Sequence, residues 1–435
     1  MSSISQSEGP GSQGTDSGIQ NFFVSFGPGL LWAGSAIGVS HLVQSTRAGA
    51  TAGFALTGVI IFALILKYPF FEFGPRYAAA TGESLIEGYR RIGRWAVWLY
   101  LLIMLSTVVF TNAAILLFTE ALFQYALGTS FSPTLASAVI YAGCLLLLWV
   151  GHYKALDLAI KVVVLVLALS TLVAASLILP QADFSDLSLL PLAPSGGTVT
   201  LAFMIALAGW MPVGIEAATL SSLWTLAKDK STNVRTSVST ARLDFNIAYV
   251  GTGILAFAFL ILGAVVMYGS GEEFSPSPAG FSTQLIALYE STLGGWAGPI
   301  MVTAAVTAMF STALTVMDGY PRAIDRAIKV IKTDDPDQTA NADISQPYWI
   351  ALIGIGVLMT LFLHLFVSSL TQMIDFITII SFMTGPILGY LNLKAVTSPN
   401  VPKEHQPGKA MVAFSYFGLV SMAVVAVIFL MSRVG

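Results

Sequence analysis

The chain has 435 residues, 55% of them hydrophobic and only 10% charged, whereas soluble domains carry about a quarter charged residues. That excludes a soluble globular domain; the net charge of −3 says nothing about partners, but basic residues scattered over short loops exclude a nucleic-acid footprint. The single cysteine, Cys144, lies in the apolar run "VIYAGCLLLLWVG", so an intrachain disulfide and a thiolate metal cluster are excluded as well.

Residues 1–20, "MSSISQSEGPGSQGTDSGIQ", are polar and contain no Lys or Arg. They lack the basic start and apolar middle of a signal peptide and read as a disordered cytoplasmic tail. Residues 21–435 read as one transmembrane domain. A helix crossing the hydrocarbon core needs roughly 20 apolar residues. Runs of that length lie near 28–49, 52–75, 95–122, 132–151, 157–179, 199–225, 244–268, 296–319, 347–367, 372–395 and 410–431. The expected fold is therefore an all-α polytopic membrane protein with eleven spans.

Lys and Arg concentrate on the cytoplasmic side of membrane proteins. With the N-terminus inside, all of the 20 Lys and Arg except Arg47 and Arg433 fall on the inner side, Lys67 and Arg76 among them. The expectation is a multi-pass protein of the cell membrane, N-terminus cytoplasmic and C-terminus extracytoplasmic. The longest loops, 180–197, 268–282 and 329–347, leave no room for a soluble catalytic domain. No HExxH, GxSxG or P-loop pattern occurs, and Cys144 has no histidine partner in sequence, so an enzyme is not expected.

Two spans differ from the rest. Span 1 reads "GLLWAGSAIGVSHLVQSTRAGA" and span 6 reads "LAFMIALAGWMPVGIEAATLSSLW". Both are interrupted midway by glycine or proline, with Ala33-Gly34 and Gly38 in one, Ala208-Gly209 and Gly214 in the other. Such glycines also serve close helix packing. Paired interruptions five spans apart point instead to an inverted-repeat transporter with its site at the midplane, because unwound backbone survives in a bilayer only where it lines a cavity or is buried in protein. The first repeat is expected over 28–179 and the second over 199–395, with 410–431 as an added helix.

The stretch "FGPGLLWAGSAIGVSHLVQSTRAGATAGFAL" resembles the first helix of the NRAMP metal transporters. So do "ATGESLIEGYRR" after span 2, Met211-Pro212 in span 6 and "VMDGY" (316–320) in span 8. The resemblance implies a LeuT-type 5+5 fold with helices 1 and 6 broken, and a divalent metal ion as substrate. The departures from the family pattern fall on the site. Where the family has Asp-Pro-Gly-Asn, with Asp and Asn as metal ligands, this chain has Gly38-Val39-Ser40-His41. In Met-Pro-His of span 6, Met211 and Pro212 match and Val213 replaces the histidine, while Ala208 matches the residue that offers a backbone carbonyl. Asn112 stands near an acidic position of the family's proton route.

Two substrates fit these residues. In the first, His41, Met211 and Glu216 form an altered site for a divalent metal, since softer cations accept imidazole and thioether. In the second, Gly38, Ser40 and the Pro212–Gly214 turn present backbone N–H groups at two half-helix starts, which attract anions. His41 and Trp210 lie nearby, and a cation drives the uptake of a small anion or organic solute. The substrate-binding candidates are thus Gly38, Ser40, His41, Ala208, Trp210, Met211 and Glu216. Sodium is one coupling ion, because "FSTALT" in span 8 places Ser311 and Thr312 where sodium-coupled LeuT-type transporters have a Ser/Thr pair. A proton taken up by Glu216 is the other. Arg47 near the outer end of span 1 snorkels or guides an anion. Asp318 starts an ion-pair face with Arg322 and Arg326, and Asp375 lies near the outer boundary. Glu216 and Asp244 are the carboxylates costliest to place in the membrane. No cofactor and no protein partner is expected beyond the lipid bilayer and a small solute or ion.

Overall fold

The computed structural model describes residues 27–150, 153–191, 199–270, 274–333, 344–366 and 369–434. The tail 1–20 lies outside these residues. Among them the chain is helical, with no strand.

Span 1 consists of α1 (Pro28–Ala36), a π-helical turn (Ser40–Ser45) and α2 (Thr46–Ala52). Span 2 is α3 (Thr57–Thr81), followed by the short α4 (Leu85–Ile92). Next come α5 (Arg94–Leu127), α6 (Pro133–Val150) and α7 (Tyr153–Ile178). Span 6 is split into α8 (Leu201–Gly209) and α9 (Ala217–Thr232). The remaining helices are α10 (Val238–Leu262), α11 (Pro278–Leu293), α12 (Ala297–Lys332), α13 (Gln346–Phe366), α14 (Leu370–Val396) and α15 (Lys409–Val434). Eight helices among the described residues are long and apolar enough to cross a membrane: α3, α5, α6, α10 with its π-helical end, and α12 to α15.

Local sequence explains most ends. Ser84 and Glu87 form a capping box that starts α4: the Ile86 N–H donates to the Ser84 hydroxyl, and the Ser84 N–H donates to Glu87 at 2.9 Å. Gly82 closes α3 in the left-handed region, φ 78°. Asp244 of α10 receives the Gly29 N–H at 2.6 Å and the Gly27 N–H at 3.3 Å. It therefore caps the start of α1 from another helix, which satisfies N–H groups left over at a helix N-terminus.

Three expectations change. The stretch 268–282 contains the start of a helix, α11, where a loop was expected. Ser277 caps α11 and Pro278 opens it, but its 16 residues are too few to span a bilayer. Helix α12 runs on well past residue 319, because Asp318–Arg322 (2.7 Å) and Asp325–Lys329 (2.6 Å) continue it as a charged face. Arg326 turns instead to Glu87 of α4, at 3.3 Å. Lys67, expected on the inner surface, is buried near the middle of α3. The run 52–75 already places it eight residues from its end, and α3 extends further, to Thr81.

Candidate functional site

Helix α1 stops at Ala36. The Ile37 N–H still reaches the Ala33 carbonyl at 2.7 Å, and the Gly38 N–H reaches Ala36 at 2.8 Å, after which the ladder is broken until the π-helical turn. Helix α8 stops at Gly209, and α9 starts only at Ala217. The two breaks touch. The Ser40 hydroxyl lies 2.8 Å from the Pro212 carbonyl and 2.6 Å from the Ala36 carbonyl.

A cavity of about 30 Å³ lies where they meet, lined by Ser35, Ser40, Trp210, Glu216, Thr312 and Tyr320 among others. A water needs roughly 10–15 Å³ of such space, so the cavity takes one or two waters or a small ion. Glu216 is buried and ends the second break. Tyr320 donates to its Oε1 at 3.5 Å and Ser381 to its Oε2 at 3.4 Å. Its carboxylate folds back over Gly214, where a Cβ would lie 2.2 Å from Glu216 Oε1. The carboxylate lies beside the start of α9, expected to receive an anion, but makes no side-chain capping hydrogen bond there.

Of the expected residues, Ser40, Trp210, Glu216 and Thr312 line the cavity. Gly38 does not line it. It allows α12 to approach, since a Cβ there would lie 2.9 Å from Thr312 Cγ2. The Thr312 hydroxyl donates to the Gly34 carbonyl at 2.9 Å or to Ala308 of its own helix at 3.1 Å. Ser311 is buried beside it.

His41 turns away from the cavity. Its Nδ1 lies 2.9 Å from the Ala36 carbonyl, and its Nε2 lies 2.9 Å from the Thr252 carbonyl of α10. A neutral imidazole donates from one nitrogen only, and here both nitrogens are turned towards carbonyls rather than towards the cavity. The expected ligand trio of His41, Met211 and Glu216 is not assembled around His41. Among the described residues no group of three or more His, Cys, Asp and Glu could hold a metal ion. Asn112 donates to Val108 of its own helix at 2.8 Å.

The sequence reading missed Lys67. Its Nζ lies within hydrogen-bonding distance of the carbonyls of Ala208 (3.1 Å), Gly209 (2.9 Å), Met211 (3.0 Å) and Val213 (2.8 Å), four acceptors that share three N–H groups. These are oxygens released by the unwinding of span 6, and the Ala208 carbonyl is the one the family resemblance offered to a metal. The available signal was a lysine inside an apolar run, since charge at membrane depth marks function.

At the α2 end of span 1, on the side expected to be outer, Arg47 of α2 and Asp375 of α14 form an ion pair at 2.7 Å. Gln44 donates to the same carboxylate at 3.2 Å, and the Arg47 guanidinium lies 4.2 Å from the Phe203 ring centroid on α8. On the other side Glu72 binds Arg76 at 2.7 Å and Arg242 at 2.6 Å.

Helices of membrane length around two breaks that meet at a small cavity, largely apolar but carrying the Glu216 carboxylate, define a transporter of the alternating-access class. A family model for natural resistance-associated macrophage protein-like proteins (NRAMP) matches residues 29–432, and the chain belongs to that family. It is 33% identical over 422 residues to an uncharacterized protein of Pasteurella multocida, covering 95% of this chain and 93% of the other. It is 28% identical over 260 residues to the divalent metal cation transporter MntH of Yersinia pestis, covering 57% and 60%. The manganese transporter of Eremococcus coleocola superposes with a TM-score of 0.67 at 15% identity, over 97% of this chain and 88% of that one. The fold is the expected LeuT type, and the family consists of transporters, not enzymes.

Proposed function

We propose that the protein carries a divalent cation across the cell membrane by alternating access, with Glu216 as the charged ligand at the meeting point of the two breaks. The observation that carries this reading is the Glu216 carboxylate in the lining of a cavity of ion size. The oxygens of Ser40, Thr312 and Tyr320 complete a lining suited to a hard cation that keeps part of its water. Membership of the metal-transporter family and the likeness to MntH support the same class of cargo. The segments 28–179 and 199–395 serve as the two repeats, 410–431 stands outside them, and the N-terminus is cytoplasmic. Protons rather than sodium drive the cycle, since the Thr312 hydroxyl is already paired with the Gly34 carbonyl.

One observation favours the other cargo. The Trp210 indole N–H has no hydrogen-bond partner, and Trp210 lines the cavity. A small anion or polar solute would accept from it, at the cost of facing Glu216.

Manganese uptake into sealed proteoliposomes, with magnesium and calcium as competitors, tests the first reading. Saturable uptake is expected in the wild type, and loss of it in Glu216→Gln. Absence of transport for all three ions overturns cation transport and leaves the anion reading.

A further inference from the structure

The second break leaves carbonyl oxygens outside the regular helical ladder, although the Ala208 oxygen still accepts the Trp210 N–H and, at 3.4 Å, the Met211 N–H. Four of them, from Ala208, Gly209, Met211 and Val213, converge within 2.8–3.1 Å of one atom, the Lys67 Nζ. Rings of backbone carbonyls are how membrane proteins replace the water around a monovalent cation. Here the cation is covalently attached. Lys67 is 3% exposed and belongs to α3, a helix packed against both halves of span 6. Around it, Glu216 interacts electrostatically and the Phe71 ring centroid lies 5.5 Å away. Elsewhere Lys67 borders a cavity of about 360 Å³ whose other lining residues carry no charge, Phe62, Met204 and Met422 among them. No other side chain in that lining replaces the ammonium at the carbonyls.

We infer that the break of span 6 is a monovalent-cation cage which the chain fills with its own ammonium, so that Lys67 holds the break as a dissolved cation would. The inference concerns the break itself and stands for a cationic or an anionic cargo. Two consequences follow from the geometry. The wild-type cage has no vacancy for a dissolved cation. The Ala208 carbonyl, spent on Lys67, is not available to the cargo while Lys67 is seated.

The test is cation rescue of the purified full-length protein, read as melting temperature in detergent. Lys67→Ala leaves the carbonyls and opens the cage. In N-methylglucamine chloride it is expected to melt roughly 5 °C below the wild type. Ammonium or methylammonium chloride at about 100 mM and equal ionic strength is expected to restore most of that loss by binding the folded state. The wild type should melt alike in all three salts. A variant that responds to the salts as the wild type does, or that melts with the wild type in N-methylglucamine, overturns the inference. Lys67→Met keeps the volume and removes the charge, and serves where Lys67→Ala does not fold. It should melt low and gain nothing from methylammonium, because its side chain fills the entrance. A Lys67→Met protein as stable as the wild type also overturns the inference.

Discussion

The Ser40 hydroxyl lies 2.8 Å from the Pro212 carbonyl and joins the break of span 1 to the break of span 6. One hydroxyl has one proton, and here two carbonyls, Pro212 and Ala36, compete for it. His41 Nδ1, 2.8 Å from the same oxygen, donates to it or accepts from it depending on tautomer. Removing the hydroxyl takes this donor from the buried Pro212 carbonyl, which costs about 1–3 kcal/mol, while the Ala36 carbonyl keeps the Gly38 N–H. Ser40→Ala is therefore expected to lower the melting temperature and to weaken apparent cargo affinity together, because Ser40 also lines the cavity. Ser40→Thr keeps the hydroxyl and should recover the affinity. Affinity in Ser40→Ala equal to that of the wild type would show that the bridge is not part of the site.

His41 leads to a different expectation. Both ring nitrogens face carbonyls, and the ring lies against α10 rather than in the cavity. His41→Ala removes a buried ring N–H facing a carbonyl and should cost stability, about 1–3 kcal/mol. It should leave the apparent affinity for the transported ion within about a factor of three, well under the tenfold that 1.4 kcal/mol of lost binding represents. Uptake assays across a range of cargo concentrations separate the two effects. A large rise in the half-saturating concentration at unchanged stability would return His41 to the site.

The sodium question turns on Thr312. Its hydroxyl is in direct contact with the Gly34 carbonyl at 2.9 Å, so these two oxygens already satisfy one another. Thr315, one turn on, donates to the Ser311 carbonyl of its own helix at 2.8 Å, the common fate of hydroxyls in membrane helices. With Lys67 supplying a positive charge at the other break, uptake is expected to continue at an unchanged rate when choline replaces sodium. Collapse of flux in choline would place a sodium ion between span 1 and α12 and overturn this expectation.

Much of the architecture was legible because hydropathy and Gly/Pro interruptions are read along the chain. The breaks near Gly38 and Trp210–Glu216 follow from residues that cannot hold a regular helix, and Glu216 stood out as a carboxylate beside one of them. What sequence could not supply was direction across helices. Lys67 is separated from Ala208 by 141 positions, and nothing local to "LILKYPF" says that its ammonium meets those carbonyls. His41 shows the converse. Its place in the broken stretch is that of a ligand, yet the π-helical turn over Ser40–Ser45 aims the ring at Thr252. Asp244 was read as a costly membrane carboxylate, but its partners are backbone N–H groups of Gly27 and Gly29, invisible to any residue pattern.

The outer ion pair carries the last expectation. Arg47 and Asp375 are each only about a fifth to a quarter exposed, 19% and 24%, and they tie α2 to α14. With Phe203 beneath the guanidinium, three helices meet at one point above the breaks. Exposed ion pairs contribute about 0–1 kcal/mol, whereas removing one partner of a partly buried pair costs more, since the other charge stays behind. Asp375→Asn removes the charge while keeping the shape, and it should loosen α2 from α14 without unfolding either. A cysteine placed at Ser40 should then react faster with a membrane-impermeant thiol reagent added from outside, in a Cys144→Ala background. If the pair only decorates the surface, the labelling rate will match that of the protein with Asp375 intact. The sign matters for transport too: a population shifted towards the outward-open form should raise apparent affinity for external cargo while slowing turnover, because the return step must now close a contact that has lost its charge.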